Sequence, residues 1–394
     1  MKICILTDNV FKLGGIERVV TIIANEFVKE GKTVDIWCCE RTKIKENREL
    51  YGLDDKVSYK DIGYFDNRKL STKVFSFFVR TINCKTNFFN KKKYIKQLTK
   101  AYYGKEVEER FINSLNKENY DIIIGTNHRY SMLLGIISDR IKAKTVGWEH
   151  GTYDAFLNSK GEFVWHQDKM FKNYMANLNK IVVLTSLDRE KYMKNLKLNT
   201  EVISNPLTFR TKIKANLNSK NILFIGRFDF DKRPQLAIEA FKELVHKYKE
   251  WNLIFVGEGP YKEMLENRIK ESNLSNNIIL KPKTNKVVDY YLNSSILINT
   301  SKWESFSLVT LEAMECGVPV IAFDNQGPRE IIKENWKNGV LVSNGDLEEL
   351  ENSLKILMES YEKRKEIAEN AKKRVKDFYK ENIIEKWNKL LSEI

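Results

Sequence analysis

Two glutamates separated by seven residues are the side chains in this sequence best placed to do chemistry. Glu304 and Glu312 lie between an apolar run at Ile296 to Ile298 and a second one at Val318 to Phe323. This order predicts a strand, a polar loop with Glu304, a helix with Glu312 and a second strand. Carboxylates accept strong hydrogen bonds from paired hydroxyls. The alternative is a charged loop followed by an ordinary solvated helix face.

The start of the predicted helix adds a place for an anion. The first backbone amides of a helix have no partner inside it, and they favour negative charge. A carboxylate beside this anion site and another about one turn into the helix suit a ligand with hydroxyls at both ends and phosphate in the middle. The loop and helix start that would line it comprise Ser305, Phe306, Ser307, Leu308 and Val309.

Two cations follow the predicted strand at Asn221 to Ile225. Gly226 and Arg227 come directly after the strand, and Lys232 lies five residues beyond Arg227. Guanidinium and ammonium groups on one short loop can converge on a diphosphate without a metal ion. Surface charge on a loop is the alternative.

These motifs resemble the donor site of family 4 retaining glycosyltransferases, which have the GT-B fold. The E-x7-E spacing is followed by A-M-x-C-G-V-P-V-I and by G-P-R-E-I-I at Gly327 to Ile332, as in the bacterial surface-polysaccharide branch of amylovoran, capsule and O-antigen enzymes. The resemblance implies an α/β protein with two Rossmann-like domains facing a central cleft, and a C-terminal helix that crosses back to the first domain.

The same resemblance implies the activity and its substrates. A hexose or N-acetylhexosamine would pass from a UDP-sugar to a lipid-linked oligosaccharide acceptor with retention of anomeric configuration, and no cofactor or metal would take part. Arg227 and Lys232 would bind the departing diphosphate, Glu304 the sugar and Glu312 the ribose. Gly226 and Gly257 would line the donor pocket. Lys283 lies where many relatives have a glycine loop, so this sequence defines the base less well.

The first half of the chain matches the family at fewer positions. Gly14 and Gly15 match its glycine-rich first loop, although a purely structural turn is the alternative. His150 follows a predicted strand at Thr145 to Trp148, where parallel sheets place ligand groups. It matches a histidine that contacts the donor sugar and phosphate, whereas a structural histidine is the other interpretation. His128 is a weaker candidate for the acceptor side.

Composition and turn residues predict the domain boundaries. A turn at Pro206 and a polar stretch after it separate an N-terminal acceptor-binding domain, 1–206, from a donor-binding domain, 207–375. The first domain carries a basic insertion at about 41–110. The last segment, 376–394, has an apolar face that includes Trp387 and is expected to pack on the N-terminal domain.

The net charge of +14 is concentrated in one segment. Asn67 to Lys105 contains eleven basic residues, eight aromatic ones and no acidic one. Such a stretch is typical of binding to an anionic membrane surface, while a solvated lobe is the alternative. No nucleic-acid motif accompanies the charge, so nucleic acid is not expected as a partner.

The remaining composition predicts a cytoplasmic protein on the inner face of the plasma membrane. No run of eighteen apolar residues and no signal peptide are present. The five cysteines have no metal-ligand spacing, so neither zinc nor a disulfide framework is expected. A sugar-nucleotide epimerase or phosphorylase of the same fold, or a non-catalytic membrane or polyanion-binding protein, remain alternatives. The particular sugar, acceptor, linkage and oligomeric state stay open.

Overall fold

The computed structural model of this chain describes residues 1–40, 45–63, 70–160 and 164–394. The chain divides into two compact units, Met1–Ser204 together with Lys380–Ile394, and Asn205–Tyr379. Each unit is built around one parallel β-sheet with helices packed on it.

The first unit contains a seven-stranded sheet in the order β3-β2-β1-β4-β5-β6-β7. Its central strands are short apolar runs buried on both faces, as expected for parallel strands covered by helices. The strands are β1 (Lys2–Thr7), β2 (Thr33–Cys38), β3 (Ser58–Asp61), β4 (Ile122–Thr126), β5 (Lys144–Trp148), β6 (Lys180–Val183) and β7 (Glu201–Val202).

The described residues of the first unit form seven α-helices before the C-terminal one. Most turn an apolar face to the sheet, and α1 in this way buries Val20, Ile23 and Phe27. The helices are α1 (Gly15–Lys29), α2 (Leu70–Thr86), α3 (Ile95–Tyr102), α4 (Lys105–Glu118), α5 (Asn127–Ile137), α6 (Asp168–Met175) and α7 (Ser186–Lys191).

The second unit contains a six-stranded parallel sheet in the order β10-β9-β8-β11-β12-β13. The order reverses between β8 and β11, which is the topological switch point of a Rossmann-like sheet. The strands are β8 (Asn221–Ile225), β9 (Asn252–Val256), β10 (Ile278–Lys281), β11 (Ile296–Asn299), β12 (Val320–Phe323) and β13 (Val340–Val342).

Seven helices cover this second sheet. Ser360 separates the last two, because its hydroxyl accepts a hydrogen bond from the Lys363 amide at 3.1 Å and so begins a new helix. The helices are α8 (Pro234–Val245), α9 (Lys262–Glu271), α10 (Val288–Leu292), α11 (Leu308–Cys316), α12 (Gln326–Ile331), α13 (Leu347–Glu359) and α14 (Tyr361–Arg374).

The C-terminal helix, α15 (Lys380–Ser392), packs on the first unit. Its fully buried Trp387 contacts Phe27 of α1 and Trp148 of β5, with ring centroids 6.1 and 5.0 Å apart. The last helix of the chain therefore packs against the end of the strand that carries Trp148.

The basic insertion is more regular than the sequence pattern indicates. Strand β3 and helices α2 and α3 lie within it, and β3 extends the sheet by pairing with β2. The periodicity misses β3 because its residues, Ser58 to Asp61, are polar and partly exposed at the edge. Residues 41–44 and 64–69 of the insertion lie outside the described part. No helix among the described residues has the length and apolar character needed to cross a bilayer.

Candidate functional site

The predicted donor residues of the second unit lie at the carboxyl edge of its sheet. The loop after β8 carries Arg227 and Lys232, and the loop after β11 carries Glu304. Because β8 and β11 are neighbours at the switch point, these loops are adjacent. Parallel sheets bind ligands outside the carboxyl ends of their strands at this position.

Lys232 and Glu304 form an ion pair across the two loops. The Lys232 ammonium lies 2.6 Å from Oε2 of Glu304, and the two side chains are 26% and 11% exposed. The Ser301 hydroxyl donates a second hydrogen bond to the same oxygen at 3.2 Å. The structure thus brings together the predicted cation for a phosphate and the predicted carboxylate for a sugar.

The loop that holds Lys232 is fixed by hydrogen bonds between side chains and its own backbone. The Asp229 carboxylate accepts hydrogen bonds from the amides of Asp231 and Lys232 at 3.1 and 3.0 Å. This short-range turn is a common use of aspartate in loops. The Thr300 hydroxyl then donates to the carbonyls of Lys232 and Arg233. Lys232 is consequently held from both adjacent strand ends.

The start of α11 leaves its first amides available. Ser307 precedes the helix with a φ of 72°. Its hydroxyl does not cap the helix, since it accepts from Asn299 at 3.0 Å and contacts the Thr310 hydroxyl at 2.7 Å. The amides of Leu308 and Val309 have no acceptor within the helix. The helix start beside Glu304 is thus suited to an anion.

The G-P-R-E segment supports the Glu304 loop from the side. The Gly327 amide donates to the Glu304 carbonyl at 2.9 Å. A Cβ at Gly327 would lie 2.6 Å from backbone atoms of Phe306, so a side chain there would displace the loop. Phe306 itself is buried against Phe378, with ring centroids 5.7 Å apart.

Glu312 is buried in the body of α11. It is 2% exposed and accepts hydrogen bonds from the Thr208 hydroxyl at 2.6 Å and the Tyr291 hydroxyl at 2.9 Å. A ribose bound here would share the carboxylate oxygens of Glu312 with the hydroxyls of Thr208 and Tyr291. The role of Glu312 in binding a ribose stays a prediction.

The other predicted donor residues have looser environments. Arg227 has a side chain that is 73% exposed and pairs with Asp229 at 2.9 Å, and Lys283 is exposed in the loop after β10. Asp229 and Asp231 have a D-x-D spacing that could serve a divalent cation. Asp229 is instead committed to Arg227 and to the loop backbone. Within the described residues, no group of three or more metal-ligating side chains is close enough to hold an ion.

Gly257 allows the loops after β8 and β9 to approach each other closely. A Cβ at Gly257 would lie 1.9 Å from the Gly226 carbonyl oxygen and 2.8 Å from the Phe228 ring. We therefore expect Gly257→Ala to lower the free energy of unfolding by about 1 to 3 kcal/mol or more, because overpacking usually costs this much. Thermal melting without ligand measures this effect.

Gly226→Ala is the matched control for this prediction. A Cβ at Gly226 would meet its nearest neighbour, the Phe224 ring, at 3.5 Å, which is an ordinary contact. We expect its melting temperature to stay close to that of the unmodified protein. Equal melting temperatures for both variants would show that the close approach at Gly257 is not required.

The glycine-rich loop of the first unit follows β1. Gly14 has an extended backbone with a φ of −171°, which any residue can adopt. Its conformation therefore does not require a glycine. The Tyr51 hydroxyl accepts from the Gly14 amide at 2.9 Å and donates to its carbonyl at 3.2 Å. Gly15 begins α1. The loop is thus fastened by a tyrosine of the insertion.

His150 lies directly after β5 and is 5% exposed. Its ring packs on Trp148 with centroids 4.4 Å apart. Its Nε2 has no hydrogen-bond partner among the residues that the structure describes. Burial lowers the pKa of His150 to about 3, so the imidazole is neutral at physiological pH.

His128 lies near the same sheet edge, one residue into α5 after β4. Its ring packs on Phe156 at 4.6 Å, and Gly151 leaves the space that the Phe156 ring occupies. Burial, with a contribution from Arg129, lowers the pKa of His128 to about 3. The structure thus connects the two histidine-bearing loops through Phe156.

Sequence reasoning overlooked several residues that build these sites. Asp229 and Ser301 orient Lys232 and Glu304, and a run of Asp-x-Asp-Lys after a strand would have indicated the Asp229 turn. Glu149, next to His150, is 1% exposed, and burial raises its pKa to about 8 despite the nearby Ser131 hydroxyl. No local pattern signals that this carboxyl group is buried.

Known proteins resemble this chain in sequence, both over its second unit and over its full length. Residues 207–374 match the sequence model of the family described as Glycosyl transferases group 1. The amylovoran biosynthesis glycosyltransferase AmsD of Erwinia amylovora is 25% identical over 99% of each chain. An α-1,4-N-acetyl-D-galactosaminyltransferase of Campylobacter jejuni, named for a GalNAc-containing diNAcBac-PP-undecaprenol substrate, is 26% identical over 97% of this chain and 96% of that protein.

A solved structure shows the same fold along the whole chain. TarM of S. aureus, a variant in complex with fondaparinux, α-GlcNAc-glycerol and UDP, superposes with a TM-score of 0.77 at 17% identity and covers 99% of each chain. The two Rossmann-like sheets are therefore those of the GT-B fold, as the sequence predicts. Fold, matched domain and full-length relatives together support a GT-B glycosyltransferase.

Proposed function

We propose that this protein is a retaining, metal-independent glycosyltransferase of family 4. It moves a hexose or N-acetylhexosamine from a UDP-sugar to a lipid-linked oligosaccharide in the synthesis of a bacterial surface polysaccharide. One observation carries the proposal: Lys232 and Glu304 meet at 2.6 Å beside the open start of α11. A diphosphate and a sugar need this combination of cation, amides and carboxylate next to one another.

The second unit supplies the groups for the donor. Lys232 and the amides at the start of α11 bind the diphosphate and stabilise its charge as the bond to the sugar breaks. Arg227, on an exposed side chain, adds a second cation. Glu304 then exchanges its lysine partner for the sugar hydroxyls. Glu312 binds the ribose hydroxyls together with Tyr291.

The first unit supplies groups for the sugar and the acceptor. The neutral His150 can accept from a sugar hydroxyl or donate to a phosphate oxygen, because its Nε2 is otherwise without a partner in the described chain. Gly14 and Gly15 allow close approach of backbone to the donor, and His128 lies on the acceptor side. The acceptor attacks the face that the diphosphate leaves, and the diphosphate takes the acceptor proton.

The relatives support the choice of substrates. The C. jejuni enzyme is named for an undecaprenol-linked acceptor, and the TarM structure contains UDP. A lipid-linked acceptor places the protein at the inner face of the plasma membrane. We assign the contact with anionic lipid to the segment Asn67 to Lys105, of which Asn67, Arg68 and Lys69 lie outside the described residues.

Thermal-shift binding to UDP-, GDP-, ADP- and TDP-sugars without metal tests the proposal. We expect stabilisation by UDP-sugars, and about a tenfold or greater loss of affinity in Arg227→Ala and in Glu312→Gln, because each change removes one charged contact. Product analysis with a UDP-sugar and a lipid-linked acceptor then checks retention of configuration.

Glu315→Gln is the matched control for Glu312→Gln. Glu315 is equally buried on α11, but it accepts from the Thr211 amide and the Tyr379 hydroxyl. The Glu315→Gln variant should therefore bind the donor as the unmodified protein does. Absence of stabilisation by every nucleotide-sugar would contradict the proposal, and turnover of the donor without an acceptor would favour an epimerase or a hydrolase.

A further inference from the structure

Helix α2 has its polar side towards the protein and its apolar side towards solvent. The face packed on the first unit presents Ser76, Val79 and Asn83, which are buried. On the opposite face Leu70 is 77% exposed, Phe77 66% and Phe78 59%. A surface helix of a globular protein usually has its apolar side towards the core and its polar side towards solvent. We call the row of exposed apolar residues on this helix the outer row; it consists of Leu70, Val74, Phe77, Phe78 and Ile82.

Polar contacts hold the helix in this orientation. The Asn83 amide group donates to the His166 carbonyl at 2.7 Å and accepts from the Phe89 amide at 3.0 Å. The Arg80 guanidinium donates to the carbonyls of Ala101 and Tyr102 at 3.0 and 3.1 Å. These directional bonds, together with the burial of Val79, fix which side faces outward. The outer row is therefore a stable feature of the fold.

Exposed cations lie on α2 and on the segment that follows it. Seven lysines between 73 and 100 are exposed, and among the described residues none of them forms an ion pair with a carboxylate. The sequence from Asn67 to Lys105 contains no acidic residue that could neutralise them. These lysines are Lys73, Lys85, Lys91, Lys92, Lys93, Lys96 and Lys100.

We infer that the outer row of α2 inserts into the interface of an anionic phospholipid bilayer. An exposed apolar row on the same segment as seven exposed lysines matches the acyl boundary of a bilayer and its anionic headgroups. A second copy of this chain is disfavoured as the occupant, because two such surfaces would bring their unpaired lysines together. A nucleic acid would use the lysines but leave the phenylalanines in water.

The inference extends the proposed function from charge attraction to insertion. The idea that the protein meets a lipid-linked acceptor at this surface rests on the proposed function. Binding of α2 to lipid does not depend on it. Insertion makes a separate prediction, because apolar burial is not screened by salt whereas attraction between charges is. Part of the binding should survive about 0.5 M salt, at which the Debye length is only a few ångströms.

Co-sedimentation of the full chain with vesicles tests the inference. The vesicles contain phosphatidylcholine alone or with about 30 mol% phosphatidylglycerol, which supplies the negative surface potential. We expect the unmodified protein to bind the anionic vesicles. The variant Phe77→Ser/Phe78→Ser should partition about a hundredfold more weakly at low salt and show no detectable binding at high salt. Lys91→Gln/Lys92→Gln/Lys93→Gln should weaken low-salt binding by roughly a hundredfold and leave the salt-resistant fraction largely intact.

Matched variants separate insertion from general stickiness. Ile213→Ser/Ile356→Ser changes two exposed apolar side chains outside α2, 63% and 44% exposed, and should bind as the unmodified protein does. Unchanged binding of Phe77→Ser/Phe78→Ser, or concentration-dependent dimers that this variant abolishes, would overturn the inference. The UDP-sugar thermal shift, measured on the same samples without lipid, reports on the proposed function separately.

Discussion

Lys232→Ala should lower kcat/KM for glycosyl transfer about 10² to 10³-fold in a protein that remains folded. Removing one preorganised group that stabilises developing negative charge costs about 3 to 4 kcal/mol in the transition state. The ion pair with Glu304, by contrast, is partly exposed and contributes about 1 kcal/mol or less to folding. The effect on catalysis should therefore exceed the effect on stability by far. Steady-state kinetics and thermal melting on the same preparation measure both.

Two further variants make this prediction specific. Lys286→Ala removes another exposed lysine of the second unit, outside the Lys232 loop, and should leave kcat/KM nearly unchanged. Lys232→Arg keeps the charge but changes its shape and reach, so we expect partial activity. Transfer by Lys232→Ala at the normal rate would show that the diphosphate is stabilised elsewhere, for instance by Arg227 and the start of α11 alone.

The sequence allowed the second sheet to be predicted closely. Strand β8 was predicted with the bounds that the structure shows, Asn221–Ile225, because it is a short apolar run between a polar stretch and a turn. In the first unit, β3 was missed since an edge strand can be polar, and α2 could not be predicted as an inverted helix. Its outward apolar side has the same periodicity as an inward one would have.

The candidate site could be predicted in its residues but not in its connections. The spacing of Glu304 and Glu312 and the cations after β8 follow from local sequence. That Lys232 contacts Glu304, and that Glu312 is already bonded to Tyr291 and Thr208, depends on which strands are neighbours. Contacts between residues far apart in sequence leave no local pattern to be recognised.

Glu149→Gln should stabilise the protein at and above neutral pH, by about 4 kcal/mol near pH 7.5. Burial raises the pKa of Glu149 to about 8, whereas an unfolded chain has a glutamate pKa of about 4.3. Between these values the folded state holds one proton more than the unfolded state. The free energy of unfolding therefore falls as pH rises through this window. Glutamine resembles the neutral acid in shape and has no proton to lose.

Melting curves between about pH 5 and pH 8.5 should separate the variant from the unmodified protein progressively, by about 5 to 10 °C at the upper end. The buried Asp188, whose pKa is raised to about 6, and the hydroxyl of Tyr192 interact with Glu149 and are present in both proteins, so the difference reports Glu149 together with its interactions with these two groups. Glu118→Gln is the control, since Lys60 lowers the pKa of this surface glutamate and the sign reverses. Parallel curves for Glu149→Gln and the unmodified protein would mean that Glu149 is ionised in the core beside His150, and the neutral environment assigned to that histidine would have to be abandoned.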